Sequence, residues 1–146
     1  MKVRRRARIV AMQALFEIDM TDHEPAAVLS ERFSENELPP EGEAFATMLV
    51  NGTLQRQAEI DALIERVAPE WPVDQIAGVD RAILRLATFE LLFGSDVAPK
   101  VAINEAVELA KTFGSDSSRR FVNRALGALV AQLPALTAAG APERRK

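Results

Sequence analysis

The sequence predicts an all-α protein made of two packed three-helix bundles. Apolar residues recur at helical spacing along most of the chain, and alternating, strand-like runs are nearly absent. The 146 residues suffice for one compact domain, and an apolar content of 48% is ordinary for a globular chain. We expect an N-terminal bundle over residues 1–68, a C-terminal bundle over 69–134 and a flexible tail over 135–146, together forming one domain.

Three helices are predicted in the N-terminal half, over residues 3–20, 25–33 and 43–67. Residues 36–42 are predicted to be a loop, because paired prolines remove backbone donors and push the preceding residue out of helical geometry. The dipeptide Asn51-Gly52 is a possible weak point in the long third helix.

Three more helices are predicted after a joint in which Pro69 and Pro72 bracket Trp71. The first opens at Asp74 or Asp80 and ends near residue 93, where Gly94 stops it. The second begins at Pro99 and ends at Gly114. The third has cap candidates in Ser115, Asp116 and Ser117 and extends to about Leu133.

The composition argues against an enzyme and against a metal or cofactor site. The chain has no cysteine and a single histidine, His23, which lies alone in an acidic stretch. No glycine-rich phosphate loop follows a strand. The pair Glu105 and Glu108 is expected on the solvated face of its helix.

The basic start of the chain is not read as a secretory signal. Gln13 interrupts the apolar stretch, Glu17 and Asp19 follow it, and no small-residue cleavage site is present. Since no apolar run approaches the length needed to cross a bilayer, we expect a soluble, cytoplasmic protein without a membrane partner.

The charge is strongly polarised although the net charge is only −3. Residues 1–8 carry five basic side chains, whereas residues 17–43 carry nine acidic side chains against Arg32 alone. One end of the chain can therefore attract phosphate, and the acidic segment would repel it.

The first helix is apolar on two faces. Ala7, Val10, Ala11, Ala14, Leu15 and Ile18 form the expected core stripe, while Ile9, Met12, Phe16 and Met20 project to the other side. That second face either contacts a partner or is buried under the loop at residues 36–42.

Arginines at the starts of two helices are candidates for binding RNA, because a guanidinium grips phosphate and stacks on bases. The first group is Arg4, Arg5, Arg6 and Arg8; the alternative is a solubilising or random basic terminus. The second is Arg120, Phe121 and Arg124, in which Phe121 is either a stacking platform or a peripheral core residue.

The helix at residues 79–93 is expected to be central, because it is apolar over more than half its circumference. Glu90 projects into that apolar arc and needs a partner such as an arginine or a capping amide; we interpret it as structural, with an interface role as the alternative. Asp80, at the start of the same helix, could reach a partner protein.

Several segments together resemble the NusB family of transcription antitermination factors. They are RRAR at 5–8 with AMQALF at 11–16, AILRLA at 82–87 with FEL at 89–91, VAINEAVELAK at 101–111, and FG at 113–114 with FVN at 121–123. The likeness spans residues 3 to about 130 in the family's order.

The resemblance implies two three-helix bundles that bind single-stranded boxA RNA of ribosomal RNA leaders. The implied partner is the ribosomal small-subunit protein NusE, with which the family forms a heterodimer. This complex joins other Nus factors and elongating RNA polymerase to suppress termination. The free chain is expected to be a monomer or a homodimer.

By position, the resemblance places Arg5, Arg6, Arg8 and the Arg120-Phe121 pair on RNA. It places Phe16 and Asp80 in contact with NusE. It places Asp116 in a loop close to the NusE and RNA surfaces. Two positions depart from the family: Phe16 stands where relatives often have tyrosine, and Arg124 stands where a small residue is usual. Our hypothesis is that Arg124 adds a phosphate contact, which would make RNA binding more sensitive to salt.

Two other functions remain open at this stage. One is a helical module that binds only protein, and the other is a stand-alone relative of the N-terminal domain of ribosomal RNA methyltransferases.

Overall fold

The structure is a computed structural model and describes residues 2–94 and 97–138. Within these ranges it is helical and contains no strand, which confirms the predicted all-α class. The helices are α1 (Val3–Met20), α2 (Pro25–Glu35), α3 (Pro40–Gln55), α4 (Gln57–Val67), α5 (Gly78–Phe93), α6 (Pro99–Phe113) and α7 (Ser118–Ala138). A single 3₁₀ turn, Val73–Gln75, precedes α5.

Helix α5 lies at the centre of the molecule, as its composition predicts. It packs against α1, α3, α4, α6 and α7, and all of its residues from 80 to 93 are buried. Helices α1, α2 and α3 pack together on one side, and α6 and α7 pack together on another. The division at residue 68 stays a prediction; α4, which precedes it, contacts both α5 and α7.

The segment predicted as one long third helix is two helices. The loop ends earlier than expected, because Pro40 occupies the first turn of α3, where a missing N–H costs nothing. The break comes at Arg56, not at Asn51-Gly52. Gly52 is instead a close-packing position: a Cβ there would lie 2.2 Å from the ring of Phe89.

Two helix ends also differ from the prediction. Neither Asp74 nor Asp80 caps α5, because the helix begins at Gly78 and Asp80 lies inside its first turn. Helix α7 does not end near Leu133 but continues through Pro134 to Ala138. Pro134 lies inside this helix, where it removes one backbone hydrogen bond to the residue four positions earlier. Residues 139–146 of the predicted tail lie outside the described residues.

No helix among the described residues is both long enough and apolar enough to span a membrane.

Candidate nucleic-acid interface

The start of α1 is tied to the body of the protein by a buried ion pair. Arg8 donates to Glu90 of α5 through two parallel hydrogen bonds, Nε to Oε1 and Nη2 to Oε2, both 2.8 Å. The two side chains are only 6% and 4% exposed. The arginine partner expected for Glu90 is thus confirmed, and Arg8 is not one of the surface cations.

Arg5 makes a second two-pronged contact, to Glu105 of α6. Its Nε and Nη2 donate to the carboxylate oxygens of Glu105 at 3.1 and 2.7 Å. The hydrogen bond from Arg5 lowers the pKa of Glu105, and the charges of Arg5 and Arg8 add to this against the effect of burial. Glu105 therefore does not lie on a solvated face. The prediction made from the sequence is wrong for this residue. Arg5 itself remains about half exposed.

The other two arginines of this group point to different neighbours. Arg4 lies over the ring of Phe45 in α3, 4.5 Å from its centroid. Arg6 donates to the backbone carbonyl of Glu37, in the connection before α3. Because successive helix positions are 100° apart, adjacent arginines reach different sides of the helix.

A shallow groove of about 630 Å³ lies between the start of α1 and the start of α6. Its wall carries the positive charge of the α1 arginines and includes the start of α6. We call it the α1 groove; it is lined by Lys2, Arg4, Arg5, Arg8, Val97, Ala98, Val101 and Glu105.

A second groove, of about 720 Å³, lies at the start of α7. It brings together four of the residues singled out in the sequence: Asp80, Arg120, Phe121 and Arg124. We call it the α7 groove; its remaining walls are Trp71, Gln75, Ile76, Ala77, Ser115 and Ser117.

The basic and aromatic side chains of the α7 groove are accessible. Arg120 is exposed and Phe121 is half-buried. Arg124 lies with its guanidinium carbon 5.7 Å from the centre of the Phe121 ring. It is 61% exposed and pairs with Glu70 at 2.7 Å.

Serine side chains fix the start of α7. The hydroxyl of Ser118 is buried and accepts a hydrogen bond from the backbone N–H of Ser115 at 2.9 Å. This contact resembles half of a capping box, in which a side chain in the first turn bonds back to the residue before the helix. Asp116 is exposed in the turn that this contact closes.

Asp80 forms part of the floor of the α7 groove. Only 8% of the residue is exposed, and its Oδ1 atom is buried without a hydrogen-bond partner among the described residues. A buried carboxylate oxygen without a donor is costly, so this atom needs a donor that the described residues do not supply.

The predicted second face of α1 is divided between core and surface. Met12 is fully buried, whereas Met20 is 56% exposed. Ile9 lies beside residues 36–38, which matches the alternative of burial under that loop. Phe16 is half-buried against Gly78, where a Cβ would lie 2.9 Å from its ring. Phe16 of α1 therefore packs against the first turn of α5, which also contains Asp80.

The two grooves lie towards opposite ends of α5. Arg8 pairs with Glu90 in the last turn of this helix, and Asp80 lies in the first turn. Ten helical residues span about 15 Å. One ligand in contact with both grooves must therefore be elongated.

Sequence reasoning missed Trp71 as a candidate site residue. It is 49% exposed and lines the α7 groove. The available signal was an aromatic residue bracketed by prolines outside a helix. It indicates a joint between the two halves of the chain but also an exposed ring. No group of three or more His, Asp or Glu side chains in the described part of the chain could hold a metal ion.

Comparison with known proteins gives a consistent result. The model of the NusB family matches residues 5–131. The transcription antitermination protein NusB of Roseiflexus sp. (strain RS-1) is 52% identical over 132 residues, which cover 89% of this chain and 93% of that protein.

Solved structures agree in fold. A structure of NusB from T. maritima superposes with a TM-score of 0.83 at 35% identity, covering 88% of this chain and 91% of that one. A NusB chain in a structure of the antitermination factors NusB and NusE with double-stranded RNA has a TM-score of 0.82 at 28% identity. There the coverage is 90% of this chain and 98% of that one.

Proposed function

Because this chain belongs to the NusB family, we propose that it is a transcription antitermination factor that binds boxA RNA together with NusE. The boxA sequence lies in the leaders of ribosomal RNA operons. The RNA-bound heterodimer joins other Nus factors and elongating RNA polymerase, and the polymerase then reads through terminators. A factor of this kind works in the bacterial cytoplasm and adapts one molecule to another without catalysis.

The observation that carries this proposal is the α7 groove, where Arg120 and Arg124 flank Phe121 on an accessible surface. Arginine and aromatic side chains in one groove are the usual means of holding an unpaired strand. The α1 groove supplies further cations at Arg4 and Arg5. A single strand is long and thin enough to contact both grooves.

We propose two roles for the arginines of α1. Arg8 forms an ion pair with Glu90 and holds α1 in place, so we do not assign it an RNA contact. Arg6 is held by the carbonyl of Glu37, beside an acidic segment that repels RNA. Arg4 and Arg5 remain as the proposed RNA contacts.

The NusE contact is proposed for Phe16 and Asp116. Phe16 offers a half-buried aromatic ring, and Met20 next to it is exposed. A partly exposed aromatic residue set among packed neighbours is a typical anchor of a protein interface. Asp80, which the resemblance also assigns to NusE, lies inside the α7 groove among the proposed RNA contacts.

The proposal is tested by measuring binding of a labelled boxA strand with and without NusE. We expect binding at low salt that NusE strengthens, and weaker binding of a strand with a scrambled sequence. A duplex of the same sequence is an informative second ligand, because one related structure holds double-stranded RNA.

Absence of RNA binding at low salt, with NusE binding intact, would instead establish a protein-only interaction module. Binding of ribosomal RNA without preference for boxA would favour a relative of the methyltransferase N-terminal domain.

A further inference from the structure

We propose that the α7 groove seats one unpaired base of the bound RNA and that Asp80 selects guanine there. The inference rests on the proposed function, because it takes RNA as the ligand. It adds a base-specific site and two residues, Trp71 and Asp80, to the contacts expected from the arginines and Phe121.

The side walls of the groove supply aromatic surface. Trp71 and Phe121 come from different parts of the chain and line the same groove. Trp71 is 49% exposed, so its ring is accessible to a ligand. Stacking on such rings holds a base of any identity.

The rim of the groove supplies positive charge. Arg120 is exposed, and Arg124 extends past the Phe121 ring to Glu70. Both guanidinium groups are placed to meet the phosphates on either side of a seated base, because an arginine grips phosphate with two hydrogen bonds. The charge pattern suits a nucleotide: cations on the rim and one carboxylate on the floor.

The floor of the groove supplies the selection. Asp80 is 92% buried, and its Oδ1 lacks a donor among the described residues. An ionised carboxylate only accepts hydrogen bonds. Guanine is the one RNA base that presents two adjacent donors on its pairing edge, N1–H and the N2 amino group. Adenine, cytosine and uracil each place an acceptor next to the donor and would be repelled there.

The test uses Trp71 as its own reporter, because the chain has one tryptophan and no tyrosine. Short strands of adenine with one central guanine, inosine or adenine are titrated into the full-length protein with NusE present. Tryptophan fluorescence reports on the groove, and the anisotropy of a strand label reports the affinity.

We expect the guanine strand to quench Trp71 fluorescence and to bind about tenfold tighter than the all-adenine strand, as one good two-pronged base contact provides. Inosine, which keeps N1–H but lacks the amino group, should fall between them. Asp80→Asn should reduce the guanine preference to about twofold or less, because the amide adds a donor where guanine also donates.

Two aromatic variants separate stacking from selection. Trp71→Ala should weaken the binding of every strand by about tenfold and leave the guanine preference intact, whereas Trp71→Phe should restore most of the affinity.

Asp80→Ser provides a second test of selection should Asp80→Asn unfold. Circular dichroism and thermal unfolding identify any variant that is not folded.

Four results would overturn the inference. An unchanged guanine preference in folded Asp80→Asn and Asp80→Ser would show that Asp80 does not read the base. A loss of NusE affinity alone in these variants would assign the carboxylate to the protein partner. Strands that bind without changing Trp71 fluorescence would place RNA elsewhere and leave the proposed function standing. Failure of these strands to bind while boxA RNA still binds would overturn the inference alone, and failure of boxA RNA as well would remove both.

Discussion

The starts of α1 and α7 both carry clustered arginines, but the fold uses them differently. At α1, Arg5 and Arg8 are held by carboxylates of other helices, and Arg6 is held by a backbone carbonyl. At α7, Arg120 is exposed and Arg124 lies on the rim of an aromatic groove. The richer cluster in sequence therefore offers no more exposed guanidinium groups, at Arg4 and Arg5, than the α7 groove does.

Burial explains this difference. Helix α1 packs between α2, α3 and α5, so a side chain at position 8 is surrounded by protein and its charge must be paired. Helix α7 begins at a turn on the surface, where a side chain at position 120 faces solvent. The number of arginines indicates a nucleic-acid protein, but only packing determines which of them can contact the ligand.

The largest effect is expected at the buried ion pair of α1. Arg8→Ala leaves Glu90 buried without a partner, which should lower the free energy of unfolding by about 3–5 kcal/mol. Denaturant unfolding measures this. The double variant Arg8→Met with Glu90→Met should recover most of the loss, because it removes both charges together. A stable Arg8→Ala protein with weakened RNA binding would return Arg8 to the RNA contacts.

A smaller effect is expected at Phe16. Phe16→Ala should weaken NusE binding by about 1–3 kcal/mol, as the loss of an aromatic anchor does. Calorimetric titration of NusE measures the change, and Ile9→Ala on the same helix serves as a control away from the proposed interface. A large fall in thermal stability with NusE affinity intact would make Phe16 a core residue only.

At the α7 groove, Arg124→Gly should reduce the salt dependence of RNA binding. Each phosphate contact that is lost lowers the slope of log affinity against log salt by about one. Arg124 is largely exposed, so the loss of stability should not exceed about 1 kcal/mol, the cost of glycine inside a helix. An unchanged slope would mean that Arg124 serves only its ion pair with Glu70.

The smallest effect is expected at Glu105, which competes with phosphate for Arg5. Glu105→Gln should strengthen RNA binding by about two- to fivefold, in line with the modest strength of partly exposed ion pairs. Glu108→Gln, one turn further along α6 and exposed, is the matched control. Equal effects of both changes would indicate a general charge effect and not release of Arg5.

Acid unfolding provides an independent check on Glu105. The pKa of Glu105 is lower in the folded protein than in the unfolded chain, mainly because Arg5 donates a hydrogen bond to it. The stability that follows is present above the unfolded pKa of about 4.3 and is lost as the pH falls through the folded pKa. Glu105→Gln should make stability less sensitive to pH in that acidic range.

Much of the fold was predictable because helix signals are local. The bounds of α1 agree with the prediction at both ends, and Pro99 and Gly114 mark α6 as expected. The sequence pointed to a break at Gly52, but this glycine is retained inside α3 because Phe89 of a different helix packs against it. That contact is not visible in the sequence. Likewise, periodicity places Glu105 on a polar face but cannot show that Arg5 lies opposite.

The candidate site was predictable in its residue types and not in its grouping. Arg120, Phe121 and Arg124 are close in sequence, and their grouping follows from one helix. Trp71 and Asp80 join them only through the packing of the 71–77 segment and α5 against α7.

The central claim is that the accessible guanidinium groups at the two helix starts hold the transcript. Its most direct test is the salt dependence of boxA binding in an Arg5→Gln, Arg120→Gln double variant with NusE present. The account predicts a folded protein whose slope of log affinity against log salt is smaller by about two. Wild-type affinity and slope in this variant would contradict it.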